Sequence, residues 1–154
     1  MDTPIPRRPA FISSVIYQDN RAAMAWLQRA FGFDASEVLV DSRDNIVHAE
    51  MSHGDGVVMI GGEFADWTRS PASIGGTNTQ RIHVRIEKDI DAHCERARHA
   101  GATIIMEPQD QFYGERSYVA IDLGGHRWTF SQSVRQVSSQ EMEQATGFKY
   151  KKFV

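Results

Sequence analysis

The sequence predicts an α+β protein made of two βαβββ modules, and three observations carry that prediction. Shifted against itself by 69 residues, the chain places Val15 on Val84, Asn20 on Asp89, Ala23 on Ala92, Arg29 on Arg98, Gly32 on Gly101 and Gly56 on Gly125. Each copy opens with a β-like run (FISSVIY; RIHVRI), passes an Asn or Asp suited to N-capping, and enters a helical stretch closed by Gly. Each copy then ends in two alternating runs joined by a Gly-bearing turn, NIVHAEMS-HGDG-VVMIG and RSYVAIDL-GG-HRWTFSQ. One such unit has a half-covered sheet and too little core, so the two copies are expected to share one.

Taken in order, residues 1–9 read as an arm stiffened by proline. It carries two arginines but no apolar stretch behind them, so it is not expected to be a secretory signal. Module one spans 10–62, with its helix over 20–31. Residues 63–79, rich in Gly, Ser, Thr and Pro, form the connector. Trp67 interrupts that polar run, either pinning the connector to the body or offering a rim contact to a ligand. Module two spans 80–133, with its helix over 89–100. In the tail, 134–154, Ser138-x-x-Glu141 has the form of a capping box and Gly147 of a stop, which predicts a short helix. The closing FKYKKFV reads as a solvated tail or a subunit-docking arm.

Composition narrows the function classes. With 41% hydrophobic and 24% charged residues and a formal charge of −3, the chain has the profile of a soluble globular protein, and no nucleic-acid partner is expected. No apolar run approaches the ~18 residues of a membrane span. Cys94 is the single cysteine and lies in a helical pattern, which suits a reducing cytoplasm.

YGERSYVAIDLGGHRWTF in module two resembles the Tyr-Gly-x-Arg, strand, Asp-x-x-Gly-His-x-Trp-x-Phe ending of vicinal oxygen chelate proteins, the glyoxalase, bleomycin-resistance and extradiol-dioxygenase group. AMAWLQRAFGF in module one is similar to their helix ending in Phe-Gly. The resemblance covers most of residues 10–132. It implies curved mixed sheets that together enclose a funnel, and a homodimer. In members that use a metal, it also implies a divalent ion held by the first and last strands of each module, commonly by His, Glu, His and Glu or Gln.

Strand alternation decides which side chains reach such a funnel. Val57 and Met59 of module one and Trp128 and Phe130 of module two are the expected helix-facing pairs. That leaves Val58, Ile60, Arg127 and Thr129 on the other side. In the opening strands Val15, Tyr17, Val84 and Ile86 suit the helix side, leaving Ile12, Ser14, Ile16, His83 and Arg85. The family's ligand positions then fall on Ile12 or Ser14, Ile60, His83 and Thr129, of which only His83 is a metal ligand by type. A catalytic transition metal needs about three protein ligands, so the usual metal site is not expected and no cofactor is called for, a divalent metal being disfavoured.

The remaining polar residues suggest other chemistry. His48 and Glu50 share the face opposite the apolar one, and Tyr118 and Ala120 are expected on the matching face of module two, with Arg116 just before them. His48, Glu50 and His83 are the candidate catalytic residues, His48 or His83 acting as general base with Glu50 orienting it, or the three forming an unconventional metal site; otherwise they are exposed strand residues. Ser14, Ile60, Trp67, Arg85, Arg116, Tyr118, Arg127 and Thr129 are the candidate ligand-binding residues, a set suited to an aromatic or acidic organic molecule. Arg116 would either clamp a carboxylate or phosphate or fix its loop by a salt bridge. His53 and His126 lie at turns, and His93 and His99 on a helix, facing solvent. In HGDG no helix start follows the glycines, so the segment is a turn and not a phosphate cradle.

Three functions follow as expectations. One is a metal-independent protein that binds a small molecule in the inter-module funnel. Another is a glyoxalase-like lyase or isomerase with a non-standard His/Glu site, a metal-dependent dioxygenase being disfavoured. The third is an assembly role.

Overall fold

A computed structural model describes residues 8–153. The first repeat runs β1 (Ser13–Tyr17), α1 (Asn20–Phe31), β2 (Asp34–Val40), β3 (Ile46–His53) and β4 (Gly56–Gly62). The second runs β5 (Arg81–Arg85), α2 (Ile90–His99), β6 (Thr103–Asp110), β7 (Glu115–Ile121) and β8 (Arg127–Ser133). A last helix, α3, covers Ser139–Thr146. The strands form two four-stranded sheets ordered β1-β4-β3-β2 and β5-β8-β7-β6. In each sheet the opening strand pairs in parallel with the last, and the other pairs are antiparallel. The fold is thus α+β with two βαβββ modules. Among the described residues no helix is long and apolar enough to cross a membrane.

Local chemistry explains the boundaries. The cap of α1 is Asp19, one residue before the Asn20 of the repeat, and its Oδ1 accepts from the Ala22 N–H at 3.0 Å. Asn20 instead sends its Nδ2 to the Ile46 carbonyl at 3.0 Å, tying the helix start to β3. The helix ends at Gly32, whose φ of 72° is the left-handed conformation that closes helices. Ser138 and Glu141 form the reciprocal capping box of α3, and Gly147 ends it. The connector contains a short 3-10 turn at Pro71–Ile74.

The chain divides into two compact units. One runs up to Asn78 and takes in Leu123–His126; the other holds Thr79–Asp122 and the chain from Arg127 onward. In the first, Ala23, Leu27, Ala30 and Phe31 of α1 are buried on the sheet with Val15, Tyr17, Ala49, Met51 and Ile60. In the second, Ile90, Cys94 and Ala97 of α2 are buried with Tyr118, Ala120, Trp128 and Phe130. Each large side chain so buried contributes roughly 1.5–3 kcal/mol.

Strand register corrects part of the expected orientation. Val15 pairs with Ile60, and Ala49 with Ile60, so Val58 and Ile60 share the helix-packed face, while Val57 and Met59 turn away from it. In the second unit Val84 pairs with Phe130 and Tyr118 with Phe130, so Trp128 and Phe130 do face the helix, and Tyr118 and Ala120 face it with them. The cause is one residue. Val15 to Val84 spans 69 positions, but their partners Ile60 and Phe130 are 70 apart, because the turn between β7 and β8 is longer than the one between β3 and β4. Carrying the spacing of 69 through that turn moves every residue of the final strand to the opposite face.

The strand β2 lies at one edge of its sheet and is exposed along its whole length, Val38, Leu39 and Val40 included. Its pairing with β3 slips twice, between Ala35 and Glu37 and between Leu39 and Val40. The matching edge strand β6 slips twice against β7.

Candidate functional site

Chemistry-bearing side chains collect on the sheet faces turned away from α1 and α2. In the first unit, register places Ser14, Met59 and Glu50 in one row across β1, β4 and β3. His48, two residues before Glu50, shares its face, and His48 Nε2 lies 3.7 Å from Glu50 Oε1. That is too long for a hydrogen bond but close enough for attraction once the imidazole is charged. The Glu50 carboxylate is 5% exposed, and its partner is Arg8, whose Nη2 donates to Oε1 at 2.5 Å. This hydrogen bond outweighs burial and holds Glu50 below the usual carboxylate range; Glu50 in turn raises the Arg8 guanidinium. Sequence reasoning missed Arg8, since the partners stand 42 positions apart and the arm shows no motif.

On the second unit's face His83 lies beside Thr129, and Arg85 beside Ser131. Ser131 Oγ, in a fully buried residue, lies 2.7 Å from His83 Nε2, and Arg85 Nη2 donates to Ser133 Oγ at 2.7 Å. Glu115, paired with Ser133, places Oε2 3.8 Å from His83 Nε2 and Oε1 3.8 Å from Arg85 Nη2. The carboxylate beside His83 in this unit is therefore Glu115, a residue the sequence did not single out. Arg127 lies beside Arg81 in the neighbouring row.

Three candidate ligand residues have other surroundings. Ile60 is fully buried on the helix side. Tyr118 is fully buried, stacks on Phe130 with centroids 5.0 Å apart, and holds its hydroxyl 2.6 Å from His93 Nδ1. Burial pushes that phenol far above its ordinary range, and a ligand on the opposite face cannot touch it. His93, expected in solvent, is thereby half-buried against the core. Arg116 lies on the same helix side and is held by Asp91 and Asp110, at 2.8 and 2.9 Å, which raises its guanidinium and lowers Asp91. It is the loop-fixing ion pair of the two alternatives. Trp67 is 78% exposed and meets Phe64 edge-on at 5.3 Å.

His126 is more than a turn residue. Its Nε2 lies 2.7 Å from the Ile16 carbonyl, and because a carbonyl only accepts, Nε2 carries the proton. Cys94 is buried, and desolvation pushes its thiol up to about 11, which makes it a core residue and not a nucleophile.

The resemblance implies a divalent ion in those members that use a metal. Glu50 is already taken by Arg8, and the strand positions beside it are Ser14 and Met59. Among the described residues no three His, Cys, Asp or Glu side chains gather as a metal-binding group.

A family model described as the Glyoxalase/Bleomycin resistance protein/Dioxygenase superfamily matches residues 11–130. An uncharacterised protein of Mycobacterium bovis is 32% identical over 143 residues, covering 89% of this chain and 91% of that protein. Among solved structures, TioX from Micromonospora sp. ML1 superposes with a TM-score of 0.65 at 33% identity, over 80% of this chain and 97% of that one. TnmS3, an antibiotic binding protein from Streptomyces sp. CB03234, shares the fold with a TM-score of 0.59 at 20% identity, over 86% and 99% of the two chains.

Proposed function

Because the chain belongs to the Glyoxalase/Bleomycin resistance protein/Dioxygenase superfamily, we propose that it binds a small organic ligand, aromatic or acidic, through the sheet faces turned away from its helices, and does so without a divalent metal. The observation that carries this reading is the placement of Ser14, His48, Glu50, His83, Arg85, Arg127 and Thr129 on those faces, outside both helix-packed cores. Polar side chains in such numbers do nothing for packing, whereas a few directed polar groups among apolar neighbours are what a ligand site requires. The fold is also one that serves antibiotic binding in TnmS3. A thermal-shift panel of aromatic, glycopeptide and hydrophobic acidic compounds tests the reading. A saturable shift with at least one class is expected, and a flat response across all three removes its support.

The His48–Glu50 distance of 3.7 Å favours a second reading, a lyase or isomerase that works by acid–base chemistry. In that case His48→Ala abolishes turnover in a substrate screen while the protein stays folded. Elemental analysis after mild purification addresses the metal: about one equivalent of a transition ion would contradict the metal-free proposal. The homodimer implied by the family is a proposal too, and a light-scattering mass near the 17.4 kDa of one chain would overturn it.

A further inference from the structure

We infer that His83, Arg85 and Glu115 form a receptor for an organic acid that carries a hydroxyl or amine next to its carboxylate. The inference deepens the ligand-binding reading and rests on it. Strand alternation puts His83 and Arg85 on one face of β5, two residues apart and therefore neighbours. Both are held from β8, His83 by the buried hydroxyl of Ser131 and Arg85 by the exposed hydroxyl of Ser133, so their positions are biased before any ligand arrives. They remain open on the other side, the His83 side chain 51% and the Arg85 side chain 74% exposed.

Glu115 gives the site its selectivity. Its two oxygens stand 3.8 Å from His83 Nε2 and Arg85 Nη2, beyond hydrogen-bond range, so it attracts both groups without closing on either. Among the described residues no hydrogen bond reaches the Glu115 carboxylate oxygens, although its side chain is only 21% exposed. Those oxygens are open to solvent, so a ligand that displaces water from them must bring a donor of its own. Arg81 and Arg127 lie on the same face, so among the described residues of β5, β7 and β8 three guanidinium groups stand there with the Glu115 carboxylate, in a chain whose net charge is −3. The face thus attracts anions. A bare carboxylate landing across Arg85 and His83 meets repulsion from Glu115. One with an adjacent O–H or N–H brings a donor to Glu115 in place of water and offsets that repulsion with a hydrogen bond. Sites built to bond a substrate hydroxyl reject the analogue lacking it, because their own polar group is then left unpaired.

The test uses the full chain with 15N-labelled histidine and follows the His48 and His83 imidazole resonances during titration with mandelate and with phenylacetate, which lacks only the hydroxyl. Mandelate is expected to move His83 and to bind about tenfold or more tightly than phenylacetate. Arg85→Ala weakens mandelate by about tenfold, and Glu115→Gln erases most of the preference between the probes. Both substituted side chains are on a sheet face and not in a core, and dispersed amide spectra confirm that the variants fold. Equal affinities in the wild-type protein, or a preference that survives Glu115→Gln, overturns the inference. So does binding of these probes that moves His48 and leaves His83 still, or their failure to bind while other acids in the thermal-shift panel do; in either case the general ligand-binding reading stands. Only silence across the whole panel removes both.

Discussion

Trp128 Nε1 donates a 2.8 Å hydrogen bond to Asp122 Oδ2, and both residues are buried, Trp128 fully and Asp122 to 6% exposure. The Asp-x-x-Gly-His-x-Trp spacing of the second hairpin is therefore a structural device, in which the carboxylate that opens the turn is satisfied by the indole that follows it. Asp122→Ala is predicted to cost about 1–3 kcal/mol, because it leaves the indole N–H without this partner inside the core. Urea denaturation followed by tryptophan fluorescence measures the cost; an unchanged midpoint would show that the bond contributes nothing net.

Tyr118→Phe separates core from site. Loss of the hydroxyl 2.6 Å from His93 Nδ1 is predicted to lower stability by about 1 kcal/mol. Ligand affinity stays unchanged, since Tyr118 is on the helix side of its sheet. Calorimetric titration of the variant with any ligand found for the wild type checks the second half, and a tenfold loss of affinity would contradict the assignment of faces.

Gly114, in the Tyr-Gly-x-Arg motif, is predicted to be intolerant of any side chain. Its φ is 90°, and a Cβ there would lie 2.3 Å from the Arg135 carbonyl, while its own carbonyl accepts from the N–H groups of Val134 and Arg135. Gly114→Ala is expected to cost about 2–4 kcal/mol, combining backbone strain with a clash that flexible atoms cannot relieve. Gly147→Ala is the control. Its φ is also positive but the space is open, so only about 1 kcal/mol is expected. Similar thermal midpoints for the two variants would refute the clash.

Acid stability carries a signature of Glu63. The Ser70 hydroxyl and N–H donate to its carboxylate at 2.6 and 2.8 Å and, led by the hydroxyl, lower its pKa from 4.5 to about 2. A group whose folded pKa is depressed contributes stability that is whole above its unfolded value and disappears as the pH falls through the folded one. Its contribution is therefore present above pH 4.5 and lost between there and about 2. Glu63→Gln is predicted to flatten that part of the acid-unfolding curve while leaving the slope near neutrality unchanged. An identical acid limb in the variant would sink the prediction.

Much of the architecture was legible because its signals are local. The Asp89 cap of α2, the Ser138–Glu141 box and the stops at Gly32 and Gly147 each act within four residues, and sequence order exposes them directly, whereas the α1 cap falls on Asp19, one residue before the Asn20 that the repeat aligns. The faces of the final strands were not legible in module one, since alternation propagates a one-residue error in turn length without damping it, and nothing in HGDG or GGH announces the difference. The polar partners were the least readable. Arg8 reaches Glu50, and Ser131 reaches His83, across 42 and 48 positions, with residue types that occur on any surface. Glu115 sat inside a recognised motif yet stood out by no property of its own; only pairing with Ser133 puts it beside His83 and Arg85.

The slipped pairing of β2 and β6 has a further consequence. A half-apolar outer strand with regular spacing is a template on which another chain can add, and then another, without limit. Two register breaks within each of these strands interrupt the row of outward N–H and C=O groups, so an incoming strand finds no uninterrupted ladder to copy. Both repeats carry the interruption, which leaves the protein free to keep valine and leucine at its margin without becoming the seed of a fibre.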